Sequence, residues 1–181
     1  MKTQVLTLTT LLLLSGIPAA YADDVRCTGA VGNSTVDNLI VPDGASCSLS
    51  GTVVQGNLKV GRGATLQASG IRVAGNIQAE GAAAVNTSNS RVGGNIQIKQ
   101  GGSASILSVT IDGDLQFEEN RGALNATAND VEGNLQAVKN RGGLTLADNR
   151  IRENLQCKEN TPAPTGGNNS AGSKEDQCSG L

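Results

Sequence analysis

The chain has 181 residues with nearly balanced charge, 14 basic against 16 acidic, and it contains no histidine and no tryptophan. That composition excludes histidine-based acid–base catalysis and histidine metal ligation. With no basic block and aromatics at 1%, it also excludes a charged nucleic-acid channel of stacking rings.

Residues 1–22 read as a signal segment. Lys2 gives a positive start, "VLTLTTLLLL" over 5–14 an apolar run, Ser15, Gly16 and Pro18 a break, and Ala20-Tyr21-Ala22 a cleavage site with small residues at −3 and −1. The run is shorter than the roughly 20 apolar residues of a spanning helix. No second run follows, so no transmembrane segment is expected. Export to the periplasm or the extracellular space is the expectation.

Residues 23–35 precede any repetition and read as an N-terminal cap carrying Cys27.

Residues 36–157 repeat. "VQGNLKV" begins at Val54, "VAGNIQA" at Val73, "VGGNIQI" at Val92, "IDGDLQF" at Ile111, "VEGNLQA" at Val131 and "IRENLQC" at Ile151, in steps of 19, 19, 19, 20 and 20 residues, and a degenerate copy, "VDNLIV", starts at Val36. A fixed period of this length marks a solenoid. Each unit holds three short alternating stretches, such as Leu58-Lys59-Val60, Leu66-Gln67-Ala68 and Ile71-Arg72-Val73, with Gly, Asn or Ser between them. Alternation is the period of half-buried strands, and the interruptions suit corners. The expected fold is an all-β, right-handed parallel β-helix, a triangular solenoid of six to seven coils, roughly 30–35 Å long at ~4.8 Å per coil. The period misses the 18 residues of left-handed hexapeptide coils, and frequent glycine opposes helix.

In that fold two inward columns run Leu39, Leu58, Ile77, Ile96, Leu115, Leu135, Leu155 and Val41, Val60, Ala79, Ile98, Phe117, Ala137, Cys157. A third is Cys47, Leu66, Val85, Ala104, Leu124, Leu144. The glycines 56, 75, 94, 113 and 133 form a corner column, serving positive φ or close backbone approach. Beside it run Asn38, Asn57, Asn76, Asn95, Asp114, Asn134 and Asn154, suited to turns and to a side-chain ladder.

Residues 158–181 leave the repeat, rich in Pro, Gly, Asn and Ser, and read as a C-terminal cap or tail. Four cysteines, Cys27, Cys47, Cys157 and Cys178, favour disulfides in an exported chain and fit no zinc spacing. Of three connectivities, Cys27–Cys47 with Cys157–Cys178 is favoured, because each pair would pin one atypical end of the rod.

Candidate chemistry is sparse, and no cofactor or metal motif is present. Outward-facing Gln78, Gln97, Gln116, Gln136 and Gln156 form the first candidate binding stripe, following Lys59. Gln67, Asn86, Ser105, Asn125 and Thr145 form a second. Both are uncharged hydrogen-bonding rows that suit a glycan or an envelope or matrix protein. Paired acids, Asp112 with Asp114, Asp130 with Glu132 and Glu118 with Glu119, are the alternative as glycosidase-type groups. Their bland reading is charge compensation between coils, with Glu119 next to Lys139 and Glu159 beyond.

The "GNLQ" and "GNIQ" units, with "GRGATL" and "GGSAS" between them, resemble bactofilin-like bacterial β-helix repeats over residues 36–157. The resemblance implies a non-enzymatic, polymer-forming scaffold. The signal segment and the cysteine-bearing ends depart from that cytoplasmic family, and the tail resembles those of exported bacterial repeat proteins. The expectation is an exported non-enzymatic module of the cell envelope or extracellular matrix, monomeric unless it assembles end to end. A polysaccharide-active enzyme and a self-assembling scaffold are the alternatives.

Overall fold

The computed structural model describes residues 24–181, so the expected signal segment, 1–22, lies outside the described residues. Among the described residues there is no helix. The chain winds as a parallel β-solenoid whose strands fall into three parallel sheets of nine, eight and seven strands.

Sheet A holds the "NLQ" strands, from Asp24–Arg26 through Leu58–Val60, Ile77–Glu80 and Leu115–Glu118 to Ser173–Asp176. Sheet B runs from Ala30–Val31 through Thr65–Ser69 and Ala84–Ser88 to Thr165–Gly167. Sheet C consists of two-residue strands, from Thr35–Val36 to Arg150–Ile151. These strands exist only because each pairs with its equivalent one coil away, which is why three-residue stretches suffice.

The register follows the repeat. Ile77 pairs with Leu58 and Ile96, Phe117 with Ile98 and Ala137, and Val85 with Leu66 and Ala104. The inward columns are buried along their length. Phe117, the one aromatic of the core, is followed in its column by Ala137, so a large side chain is offset by a small one and the interior stays filled.

The coil count exceeds the expected six to seven: sheets of nine, eight and seven strands make about eight turns, near 38 Å of stack at ~4.8 Å per coil. The additional turns come from the ends. Asp24–Arg26 pairs with Asn38–Val41, and Ser173–Asp176 pairs with Asn154–Lys158. Backbone hydrogen bonds and polar side chains such as Gln156 with Glu175 make these pairs, so they need no aliphatic repeat.

The disulfides Cys27–Cys47 and Cys157–Cys178 close loops of 20 and 21 residues at the two ends. Loops of that size contribute ~3 kcal/mol each by restricting the unfolded chain. Two such bonds are the mark of a chain folded under oxidising conditions. No helix among the described residues is long and apolar enough to cross a membrane.

The glycine column is set by close approach. A Cβ on Gly75 would lie 2.6 Å from the carbonyl oxygen of Gly56. Positive φ occurs elsewhere, at glycines such as Gly63 and Gly81 in the early coils and at other residues in the later ones. Gln100, Glu119, Lys139 and Glu159 turn the corner between sheets A and B, and Asn89, Ser108, Ala128 and Asp148 turn that between B and C.

Candidate functional site

The outward positions of sheet A place the glutamine stripe in register. Gln78 pairs with Lys59 and Gln97, Gln116 with Gln97 and Gln136, and Gln136 with Gln156. Gln78 is exposed and the other four half-buried. Gln97 donates its amide to Gln116 Oε1 at 3.1 Å, Gln116 to Gln136 at 3.5 Å, and Gln156 to Glu175 at 3.1 Å. Gln97, Gln116 and Gln156 thus each donate one bond along the stack. Charged residues border it, with Lys99 bonded to Glu118 at 2.9 Å.

Sheet B differs. Its eight strands, from Ala30–Val31 to Thr165–Gly167, contain no Asp, Glu, Lys or Arg, whereas sheets A and C both carry charge. Ser48, Gln67, Asn86, Ser105, Asn125 and Thr145 are in register down its outer face. Gln67, Asn86 and Ser105 border a shallow concavity of about 330 Å³, with Ser88 and Leu107 at its side. Leu107, 41% exposed, is the large apolar side chain that the described surface leaves open. The concavity therefore offers two amides, hydroxyls and one apolar platform.

The acids are committed to neighbouring coils. Asp112 takes a two-pronged hydrogen bond from Arg91 at 2.8 and 2.9 Å, Glu132 one from Arg152 at 2.7 Å, and Asp130 faces Arg150 at 3.5 Å. Asp114 accepts the backbone N–H of Asn134 at 2.7 Å. The Arg152 hydrogen bond holds the Glu132 carboxyl below its ordinary value. The expected compensation between Glu119 and Lys139 is not what the structure shows. Glu119 instead accepts from Gln100, its equivalent in the preceding coil, at 3.0 Å. Among the described residues no group of three His, Cys, Asp or Glu could hold a metal ion.

The corner asparagine column does form a ladder. Asn57, Asn76, Asn95 and Asp114 each donate a backbone N–H to the side-chain oxygen one coil before, at 2.7–2.9 Å. Two further ladders, not anticipated from the repeat, run inside the rod: Asn120, Asn140, Asn160 and Asn129, Asn149, Asn169, all buried. In each, Nδ2 donates to the next Oδ1 and to a core carbonyl. Gln177 ends the first, accepting from Asn160 N at 2.8 Å. The recurring "NRG" at 120–122 and 140–142 was the available signal.

A groove of about 720 Å³ runs along the corner between sheets A and B, bordered by Arg62, Arg121, Lys139, Arg141, Glu80 and Glu119. All but Glu80, which ends the strand Ile77–Glu80, lie in the turns, outside the alternating stretches that reveal the fold.

Comparison with protein-family models, with curated proteins and with solved structures gives no match to this chain.

Proposed function

We propose that the chain is an exported, non-enzymatic β-solenoid that serves as a binding or structural module of the cell envelope or extracellular matrix, docking a neutral glycan on the outer face of sheet B. The observation that carries this is the absence of any charged residue from the eight strands of that sheet. A neutral sugar offers hydroxyls and apolar C–H faces. The amides of Gln67 and Asn86 and the hydroxyl of Ser105 meet the former, and Leu107 meets the latter.

Export is supported by the N-terminal segment and by the two disulfides. A scaffold role of the bactofilin-like kind is consistent with a stack held by in-register backbone pairing. The direct partners of the acids, which are arginines, Lys99, Gln100 and Asn134, favour this reading over the polysaccharide-active one.

The test is a glycan array probed with the full exported chain and with Gln67→Ala/Asn86→Ala. Binding to neutral glycans that the double variant loses supports the proposal. Binding that survives the variant, or capture of an envelope protein with no glycan bound, overturns the assignment of sheet B to glycan. Release of reducing sugar would reject the non-enzymatic reading.

A further inference from the structure

The repeat lengthens from 19 to 20 residues partway along the chain, and the added residue falls at one corner. Ile98 pairs with Phe117 at the shorter step, whereas Ala104 pairs with Leu124 at the longer one. The insertion therefore lies between Phe117 and Leu124, where sheet A turns into sheet B. The shorter coil turns this corner with Gln100-Gly101-Gly102. The longer ones turn it with Glu119-Asn120-Arg121-Gly122 and Lys139-Asn140-Arg141-Gly142. The asparagine points inward onto its ladder, and the arginine beside it is exposed. Turning the corner does not require the extra residue, since shorter coils manage without it. The first two lengthened corners each present a guanidinium, and the third, Glu159-Asn160-Thr161-Pro162, carries threonine at that position.

Four cations among the described residues meet carboxylates of the adjacent coil, as Arg91 meets Asp112 at 2.8 Å, Lys99 meets Glu118 at 2.9 Å and Arg152 meets Glu132 at 2.7 Å. Arg121 and Arg141 are among those that do not. They occupy equivalent positions one coil apart, ~4.8 Å along the axis. Among the described residues neither makes an ion pair. Stacked like charges repel, and the carboxylates of Glu80 and Glu119 offset only half of the four positive charges that border the groove. Lys139 and Arg62 border the same groove, and Glu119 in it already accepts from Gln100. An adjoining concavity carries the groove past Arg141 to Glu159 and Thr161, towards the C-terminal end.

We propose that this groove binds an acidic polysaccharide, with a carboxylate or sulfate held between the guanidinium groups of Arg121 and Arg141 and the sugar chain lying along the rod axis. Planar guanidinium forks match the oxygen geometry of both anions. A groove between protein walls focuses the field of its charges. Glu80 and Glu159, at the two ends, accept sugar hydroxyls. The groove is separate from the face of sheet B, so the proposal stands or falls independently of the neutral-glycan reading.

The test is binding of fluorescently labelled alginate and dextran sulfate fragments to the full chain by anisotropy, with uncharged dextran as control. Binding of either polyanion is expected at low salt and should fade near 1 M, where the Debye length is about 3 Å. Alginate alone assigns carboxylate, dextran sulfate alone assigns sulfate. Arg121→Gln/Arg141→Gln should weaken binding about tenfold or more with an unchanged circular dichroism spectrum and melting temperature. Arg26→Gln/Arg72→Gln removes the same charge away from the groove and should leave affinity nearly unaltered. Failure to bind either polyanion, equal binding of uncharged dextran, or equal losses in the two double variants would overturn the proposal.

Discussion

Asn120 donates its side-chain amide to Asn140 at 3.0 Å, and Asn140 donates in turn to Asn160 at 2.9 Å and to the carbonyl oxygen of Phe117 at 3.0 Å. The same Asn140 Oδ1 also accepts the backbone N–H of Asn120 at 3.0 Å. One buried side chain thus satisfies groups of the coils on either side of it in the rod interior, where water cannot replace it. Asn140→Ala would take a partner from the Phe117 carbonyl, the Asn120 N–H and the Asn120 amide together, the last keeping only the Ile98 carbonyl. At ~1–3 kcal/mol for each buried unsatisfied group, a loss of about 3 kcal/mol or more is expected in urea denaturation. Loss below about 0.5 kcal/mol, the range of ordinary surface substitutions, would contradict the ladder.

Thr87 gives the opposite sign. It sits in the inward column between Ala68 and Ile106, 2% exposed, and its hydroxyl has no hydrogen-bond partner. Valine has nearly the same shape and no hydroxyl to desolvate. Thr87→Val should therefore stabilise the chain, by about 1 kcal/mol. Thermal unfolding of the variant beside the parent decides it, and a lower midpoint would mean that the hydroxyl has a partner.

The two kinds of corner respond oppositely to a methyl group. Gly75→Ala drives a Cβ to 2.6 Å from a backbone carbonyl oxygen that cannot move without disturbing the next coil. It should be destabilising. Ala128, at φ 55°, bears a Cβ in the left-handed region, which costs ~1–2 kcal/mol. Ala128→Gly should relieve part of that and leave the chain as stable or more so. Urea midpoints of the two variants should move in opposite directions.

The Arg152 hydrogen bond lowers the pKa of Glu132 in the folded chain. A carboxyl lowered on folding adds stability above its ordinary value near 4.3, and this is lost as pH falls through the folded-state value. Both side chains are largely exposed, so the contribution is screened and small. Arg152→Gln should move the Glu132 carboxyl titration, followed by NMR, up towards the ordinary value. The melting temperature at neutral pH should barely change. An unmoved titration would show that the pair does not form in solution.

The parts of this architecture that rest on side-chain alternation were legible in the sequence. Leu58, Ile77 and Ile96 recur because the same inward position must be aliphatic in every coil, and their register follows. The pairing of cysteines at each end was legible because Cys47 and Cys157 fall in inward columns while Cys27 and Cys178 lie in the atypical ends. The outermost turns were not legible. Strands such as Thr165–Gly167 and Ser173–Asp176 join their sheets through backbone hydrogen bonds, which leave no aliphatic signature. The buried asparagines escaped notice because polar residues between strands read as turns, whether they face solvent or core. Arg121 and Arg141 escaped for a related reason: their meaning lies in the groove they share with Arg62 and Lys139, and only coordinates reveal that.

Distances measured by electron paramagnetic resonance between spin labels on the outward column of sheet A test the stacked coil directly. Labels at Lys59 and Gln136 should lie about 19 Å apart, and labels at Lys59 and Gln156 about 24 Å, for four and five steps of ~4.8 Å. A narrow distribution that lengthens by one coil spacing between these pairs is the predicted result. Broad distributions, or distances that do not grow with coil number, would contradict the parallel in-register stack from which the docking face and the arginine groove both derive.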